Sequence, residues 1–226
     1  SKDDVAGASN GTYIITSGCE HKGRAYVANR GTLPITGVRK IIRSDVGSTS
    51  VWTGFSSNPA NDPYGLDSDG TTMYVANWES GARTITVLSS ADDGSTWPTT
   101  EATILSAAAP RKGNLYADGS SAGVLDYFLT TAEALYHVDL SAAAAFTKRV
   151  PFIHPESTFT GQLKATGIGL LYSDGPDLHL GRWIANEGWR DELLFSTEVL
   201  PALKRGDITA LDFIPGYEWV VFAVGG

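Results

Sequence analysis

The side chains that could do chemistry in this chain fall into three groups. Four acids, Asp62, Glu133, Glu156 and Asp174, lie at the ends of strand-like runs, and two separated carboxylates are what glycoside hydrolysis needs as general acid and as base or nucleophile. Trp78, Tyr64 and Asn77, with Asn29, Arg30 and Glu79 close by in the pattern, combine aromatic faces with amides and charges. That mixture suits a sugar ring, whose C–H face stacks while its hydroxyls find donors and acceptors. The four histidines, His21, His137, His154 and His179, are dispersed, with no pair at helical or hairpin spacing, and Cys19 is the only cysteine. Neither a metal set nor a disulfide framework follows from such spacing, so no metal and no cofactor is expected.

Two short motifs are readily over-read. Asp67-Ser68-Asp69-Gly70 opens like a calcium loop but lacks the remainder, including the bidentate Glu, and reads as a tight hairpin. Arg205-Gly206-Asp207 precedes a strand in a turn, and a match of three residues carries no functional information. Ser90-Ala91-Asp92-Asp93-Gly94-Ser95-Thr96-Trp97 is different, because it satisfies Ser-x-Asp-x-Gly-x-Thr-Trp at every specified position. Asp92 is placed to bond backbone N–H groups just ahead of it, Gly94 supplies a positive φ, and the Ser90 and Thr96 hydroxyls tie the loop to itself. Trp97 then opens the next strand and needs an apolar place to go.

This eight-residue stretch resembles an Asp-box, the bacterial neuraminidase repeat of sialidases and of many non-enzymatic β-propellers. The resemblance implies a hairpin joining the third and fourth strands of a blade, with Trp97 wedged at the periphery, away from any central site. It also implies what a sialidase would have to carry: three arginines for the substrate carboxylate, a Tyr activated by a Glu, an Asp acid and an early Arg-Ile-Pro. No Arg-Ile-Pro occurs, and only Arg30 falls clearly on a loop of the expected ligand face. The resemblance therefore points to fold and away from catalysis, and no catalytic residue is assigned.

Counting outward from the box reveals a repeat. Tyr26-Val27-Ala28-Asn29 recurs as Tyr74-Val75-Ala76-Asn77, and from position 26 to position 74 is 48 residues, the length of one propeller blade. A decayed box sits at Asp45-Val46-Gly47-Ser48-Thr49, and Asn186-Glu187-Gly188 stands where a further one belongs. The anchor aromatic runs through Trp52, Trp97, Phe146 and Trp189, and the second strand through Tyr26, Tyr74, Phe128, Leu171 and Val221. Period-two alternation bounded by turn residues then gives an all-β chain, a single β-propeller domain of about five four-stranded blades. The blades span approximately 12–55, 64–105, 113–152, 161–197 and 208–224, the last with only two strands. Ala142 to Ala145 reads as another degenerate box turn, and Glu198–Lys204 is the best helix candidate, limited by Pro201 to a turn or two. A half-built blade leaves unpaired backbone, so the chain is expected to belong to a longer polypeptide or to be completed by a neighbour.

Composition narrows the partners. A net charge of −8 with thinly spread Lys and Arg disfavours nucleic acid. No apolar run reaches the roughly 18 residues that would cross a bilayer as a helix. The sequon Asn10-Gly11-Thr12 is treated as chance. The expected function is a non-catalytic structural or interaction module of an extracellular or virion assembly, such as a phage tail or receptor-binding part. Its partners would be other subunits or the rest of its own chain. The alternatives are a glycan-binding module and a glycoside hydrolase of sialidase or five-bladed type.

Overall fold

The computed structural model describes residues 14–30, 41–44, 52–56, 61–116, 125–140, 145–155, 157, 161–184, 188–214, 216–217 and 219–225; the side chains of 52–56, 145–149, 183–184 and 188 are not described. The chain is all-β, and its backbone clusters into two compact units, Ser1–Gly113 with Ala143–Phe146, and Asn114–Ala142 with Thr147–Gly226. Among the described residues no helix is long and apolar enough to cross a membrane.

The first unit holds two antiparallel sheets in simple up-and-down order. One is built from β1 (Ile15–His21), β2 (Arg24–Asn29), β3 (Ile41–Ser44) and β4 (Trp52–Ser56), the other from β5 (Asp62–Ser68), β6 (Met73–Glu79), β7 (Thr84–Ser90) and β8 (Thr99–Leu105). The strands form where β-branched and aromatic residues alternate with polar ones, and the turns fall where the chain offers positive φ. Lys22 and Gly23 (φ 50° and 75°) close β1–β2, and Gly70 (φ 88°) closes β5–β6. In the β5–β6 turn, Asp69 Oδ1 accepts from the N–H groups of Thr71 (2.7 Å) and Thr72 (2.6 Å), so this acid builds a hairpin.

The two sheets are joined face to face and along their first strands. Tyr26, Ala28 and Ile41 of the first pack with Leu66, Met73, Val75 and Trp97 of the second in one buried cluster. β1 lies beside β5 and runs parallel to it. Thr16 Oγ1 donates to Pro63 O (2.6 Å), Ser17 Oγ accepts from Leu66 N (2.8 Å), and His21 Nδ1 meets Ser68 Oγ at 2.6 Å.

The turn between β7 and β8 is the Ser90–Trp97 stretch, and its bonds are those its residue types call for. Asp92 Oδ1 accepts from Ser90 Oγ (2.7 Å) and Thr96 N (2.9 Å), Oδ2 accepts from Thr96 Oγ1 (2.7 Å), and Ser90 Oγ accepts from Gly94 N (2.9 Å). Asp93 and Gly94 take left-handed φ of 58° and 81°. Asp93, an unspecified position of the motif, reaches across to the β1–β2 turn, where Lys22 Nζ lies 2.5 Å and His21 Nε2 3.1 Å from its Oδ1. Trp97 is buried at 8% exposure, and its Nε1 finds no acceptor among the described residues, so its contribution is packing.

The second unit repeats the plan. A third sheet, β9 (Lys112–Tyr116), β10 (Asp126–Thr130), β11 (Ala134–Asp139) and β12 (Ala145–Pro151), has most of its residues here; a fourth comprises β13 (Leu163–Ala165), β14 (Leu170–Asp174), β15 (Asp177–Ile184) and β16 (Gly188–Ser196). They share a core of Phe128, Leu135, Phe152, Leu163, Leu170 and Tyr172. Trp189, the anchor aromatic expected in the fourth repeat, lies 5.6 Å from the Phe128 ring, so Trp97 and Trp189 each pack onto the preceding sheet. Leu171, which shares the repeat position of Tyr26 and Phe128, faces away from Tyr172 by strand alternation.

The expected helix at Glu198–Lys204 is two 3-10 turns, Thr197–Val199 and Ala202–Lys204. Pro201, between them, cannot donate the backbone bond that would join them. β17 (Asp207–Ile214) and β18 (Trp219–Gly225) form a two-stranded sheet set against the fourth by Ile208 N to Gly175 O (2.9 Å), Lys164 Nζ to Asp212 Oδ1 (2.8 Å) and the Phe195–Phe222 ring pair (5.5 Å). The decayed box at 45–49, most of the Ala142–Ala145 run, Asn186 and the sequon lie outside the described residues; Trp52 and Phe146 are placed by backbone alone.

Two tests follow from these contacts. A Cβ on Gly181 would collide with the Trp189 indole, so Gly181→Ala should lower stability by about 1–3 kcal/mol in urea titration. Bonds from Thr96 N and Ser90 hold the Asp92 carboxyl below its ordinary value, and those from Lys22 and His21 do the same for Asp93. A depressed carboxylate contributes stability that is present above its unfolded pKa and is lost as pH falls through the folded one. The melting temperature should therefore drop on acidification below about pH 4, and drop less steeply in Asp92→Asn.

Candidate functional site

The aromatic and amide residues singled out from sequence all fall in the first unit. Asn29 is fully buried at the end of β2, where its Oδ1 accepts from Ile14 N at 2.8 Å, just ahead of β1. Asn77, one repeat later, does the same for Asn61 N at 3.1 Å, just ahead of β5. Each asparagine thus fastens the chain entering a sheet to the end of that sheet's second strand.

Trp78 is 9% exposed and lies opposite Asp62 on β5 and Ile85 on β7. Alternation along β6 sends it to the opposite face from Asn77. Tyr64 is also buried, with its hydroxyl accepting from Arg30 Nη1 at 2.6 Å while the guanidinium carbon stands 6.0 Å from the ring centroid. Arg30 and Glu79 are exposed. Arg30 and Tyr64 are brought into direct contact, and the two aromatic faces that would stack on a sugar are covered.

The candidate acids fall in both units. Asp62 sits on β5 of the first unit, half-buried, and Glu133 occupies a turn built on Thr131, whose Oγ1 accepts from Glu133 N (3.0 Å) and Ala134 N (3.3 Å). Asp174, at the end of β14, is 3% exposed and accepts from Ile153 N (2.5 Å) and His154 N (2.9 Å). It clamps the loop between the third and fourth sheets. Glu156 lies outside the described residues.

All four histidines have a carboxylate partner within 4 Å, a regularity with no signature in their spacing. The pairs are His21–Asp93 (3.1 Å), His137–Asp126 (2.8 Å), His154–Asp177 (3.8 Å) and His179–Asp191 (3.2 Å). Two of these imidazoles stack on the aromatic directly across the sheet, His137 on Phe128 at 4.6 Å and His179 on Tyr172 at 5.1 Å. Burial would lower the pKa of His179, but Asp191 outweighs it and the net shift is upward; Asp191 is correspondingly held low. These pairs neutralise polar groups inside or between sheets. Among the described residues no group of three or more His, Cys, Asp or Glu could hold a metal ion. Burial pushes the Cys19 thiol up to about 12, so it is not a nucleophile at neutral pH.

A concave polar surface lies in the second unit, around the Arg205-Gly206-Asp207 stretch. His154, Pro176, Thr197, Glu198, Arg205, Gly206 and Asp207 line a cavity of about 450 Å³. Four separate segments build it: the loop after β12, the β14–β15 turn, the 3-10 turns and the start of β17. No known family model matches the chain, and comparison with curated proteins finds no match. Function must therefore be argued from geometry.

Removing the asparagine carbonyl leaves a partly buried N–H without its acceptor. Asn77→Ala should thus cost about 1–3 kcal/mol in denaturant titration, and Trp78→Ala about 3–5 kcal/mol. Glu79→Ala, at an exposed position on the same strand, should stay within about 0.5 kcal/mol.

Proposed function

We propose that this chain is a non-catalytic β-propeller of the Asp-box type, serving as a structural and interaction module of an extracellular or virion assembly. The observation that carries this reading is what the reactive-looking residues do. Asn29, Asn77, Asp92 and Asp174 each direct side-chain oxygens to backbone N–H groups that hold strands, loops or turns in place. Groups occupied in this way build a scaffold.

The propeller architecture is supported by the repeated four-stranded meander, by the parallel approach of the first strands β1 and β5, and by anchor tryptophans that pack backward in two of the sheets. Electron-microscopic class averages of the chain viewed down those first strands should display wedge-shaped blades around an axis. Averages with separate lobes and no such axis would overturn the architecture.

An interaction role is supported by β18. Its sequence, Trp219 to Gly225, carries no charge and no proline, and Trp219 and Val221 are 63% and 47% exposed. Among the described residues its outer edge has no partner strand. Such an edge is a template for another polypeptide strand, here read as one supplied by another subunit or by further polypeptide of the same chain. Sedimentation of the chain alone should reveal concentration-dependent association that Val221→Lys abolishes without lowering the melting temperature. Association unchanged by that lysine would remove β18 as the contact. Hydrolysis of chromogenic glycosides that is lost in Asp62→Asn would replace the scaffold reading with an enzymatic one.

A further inference from the structure

We infer that the cavity of the second unit is a binding site for a non-acidic saccharide ring, recognised by Glu198, Arg205, Asp207 and His154. The inference goes beyond the scaffold reading and does not rest on it, because every residue of the site belongs to one unit.

Size is the first consideration. About 450 Å³ lies within the usual range for small-ligand pockets. The walls are held before any ligand arrives. Asp174 fixes the backbone of Ile153 and His154, and Gly175, at φ +59°, lies so close beneath His154 that a Cβ there would come within 2.8 Å of the histidine Cβ. Thr197, fully buried, donates its N–H to Pro176 O (3.0 Å) and its Oγ1 to Gly206 O (2.5 Å). These bonds tie the first 3-10 turn both to the β14–β15 turn and to the start of β17. A pocket whose backbone is bonded across three of its segments loses little entropy on binding.

The chemistry of the lining selects the ligand. Ser157 Oγ donates to Asp207 Oδ2 at 2.5 Å, which orients that carboxylate and leaves Oδ1 as an acceptor. Glu198 is a further acceptor, and Asp177 lies 3.8 Å from Nε2 of the lining residue His154. Arg205 directs Nε to Leu200 O at 2.8 Å, leaving its terminal nitrogens as donors. A sugar hydroxyl donates one hydrogen bond and accepts two, so a ring bearing several hydroxyls satisfies carboxylates and a guanidinium together, where a purely anionic or purely apolar ligand does not. Pro176 offers the apolar surface for a C–H face. Two lining carboxylates, Glu198 and Asp207, outnumber the one guanidinium and repel a uronate or a sialic acid, so the pocket discriminates by charge as well as by hydroxyl pattern.

Binding of neutral glycans on an array, followed by calorimetric titration of the full chain with the best of them and with D-glucuronic acid, tests the assignment. Neutral glycans should bind, glucuronic acid should not, and Glu198→Gln and Arg205→Ala should each weaken binding at least tenfold with the melting temperature unchanged. Amide NMR shifts of Gly175 and Gly206 on adding the neutral glycan report occupancy without any substitution, so the test survives a variant that fails to fold. Absence of neutral-glycan binding, a preference for the acidic sugar, or binding that leaves both glycine amides and both variants unaffected would each overturn the site while leaving the scaffold reading intact.

Discussion

Burial of the second strand on both of its faces, in three of the four four-stranded sheets, is the constraint from which the rest of the structure follows. β10 and β14 are buried at every residue, and β6 at all but two. The fourth strands grade toward solvent, with β8 exposed at alternate positions and β16 exposed along much of its described length. A sheet with two apolar faces has no stable existence alone and must be covered on both sides. That requirement brings Tyr26 against Met73 and Trp97, and Phe128 against Tyr172 and Trp189.

Once sheets stack face to face, their polar groups become the difficulty. Loops that carry the chain from one sheet to the next pass over buried edges, and their N–H groups need acceptors other than water. Asn29, Asn77 and Asp174 are those acceptors, each placed at the end of a second strand beside a loop that leads toward a first strand. The Ser90–Trp97 turn performs the same service at the opposite end of its sheet, satisfying itself through Asp92 and linking to the neighbouring hairpin through Asp93. The exposed Lys22–Asp93 pair is worth no more than about 1 kcal/mol. Its partner His21, 1% exposed, matters more because it is inside.

The sequence was most legible where local rules and global fold agree. β2, as Arg24–Asn29, and β15, as Asp177–Ile184, lie where alternation and turn residues place them. β1 runs on to His21 because Lys22 and Gly23 make the hairpin in two residues. The functional residues were less legible. Trp78 and Tyr64 look like ligand contacts in a list of residue types, yet both are nearly closed to solvent. Conversely, Glu198 carries no motif and Asp207 belongs only to the three-residue Arg205-Gly206-Asp207 match, and the two meet because two 3-10 turns fold the chain back over the β14–β15 turn.

Residue types and their spacing were sufficient to specify strands, hairpins, the recurring four-stranded unit and the self-contained Ser90–Trp97 turn, since each depends on interactions within a few residues or across a single turn. Which polar side chains are structural and which are left to meet a ligand depended on packing. A side chain's availability is decided by what covers it and by which N–H groups lie within its reach, and those neighbours come from other sheets. Asn77 and Asp207 are both ordinary polar residues at strand ends; three-dimensional assembly gave the first a backbone partner across its own sheet and set the second at the edge of a cavity.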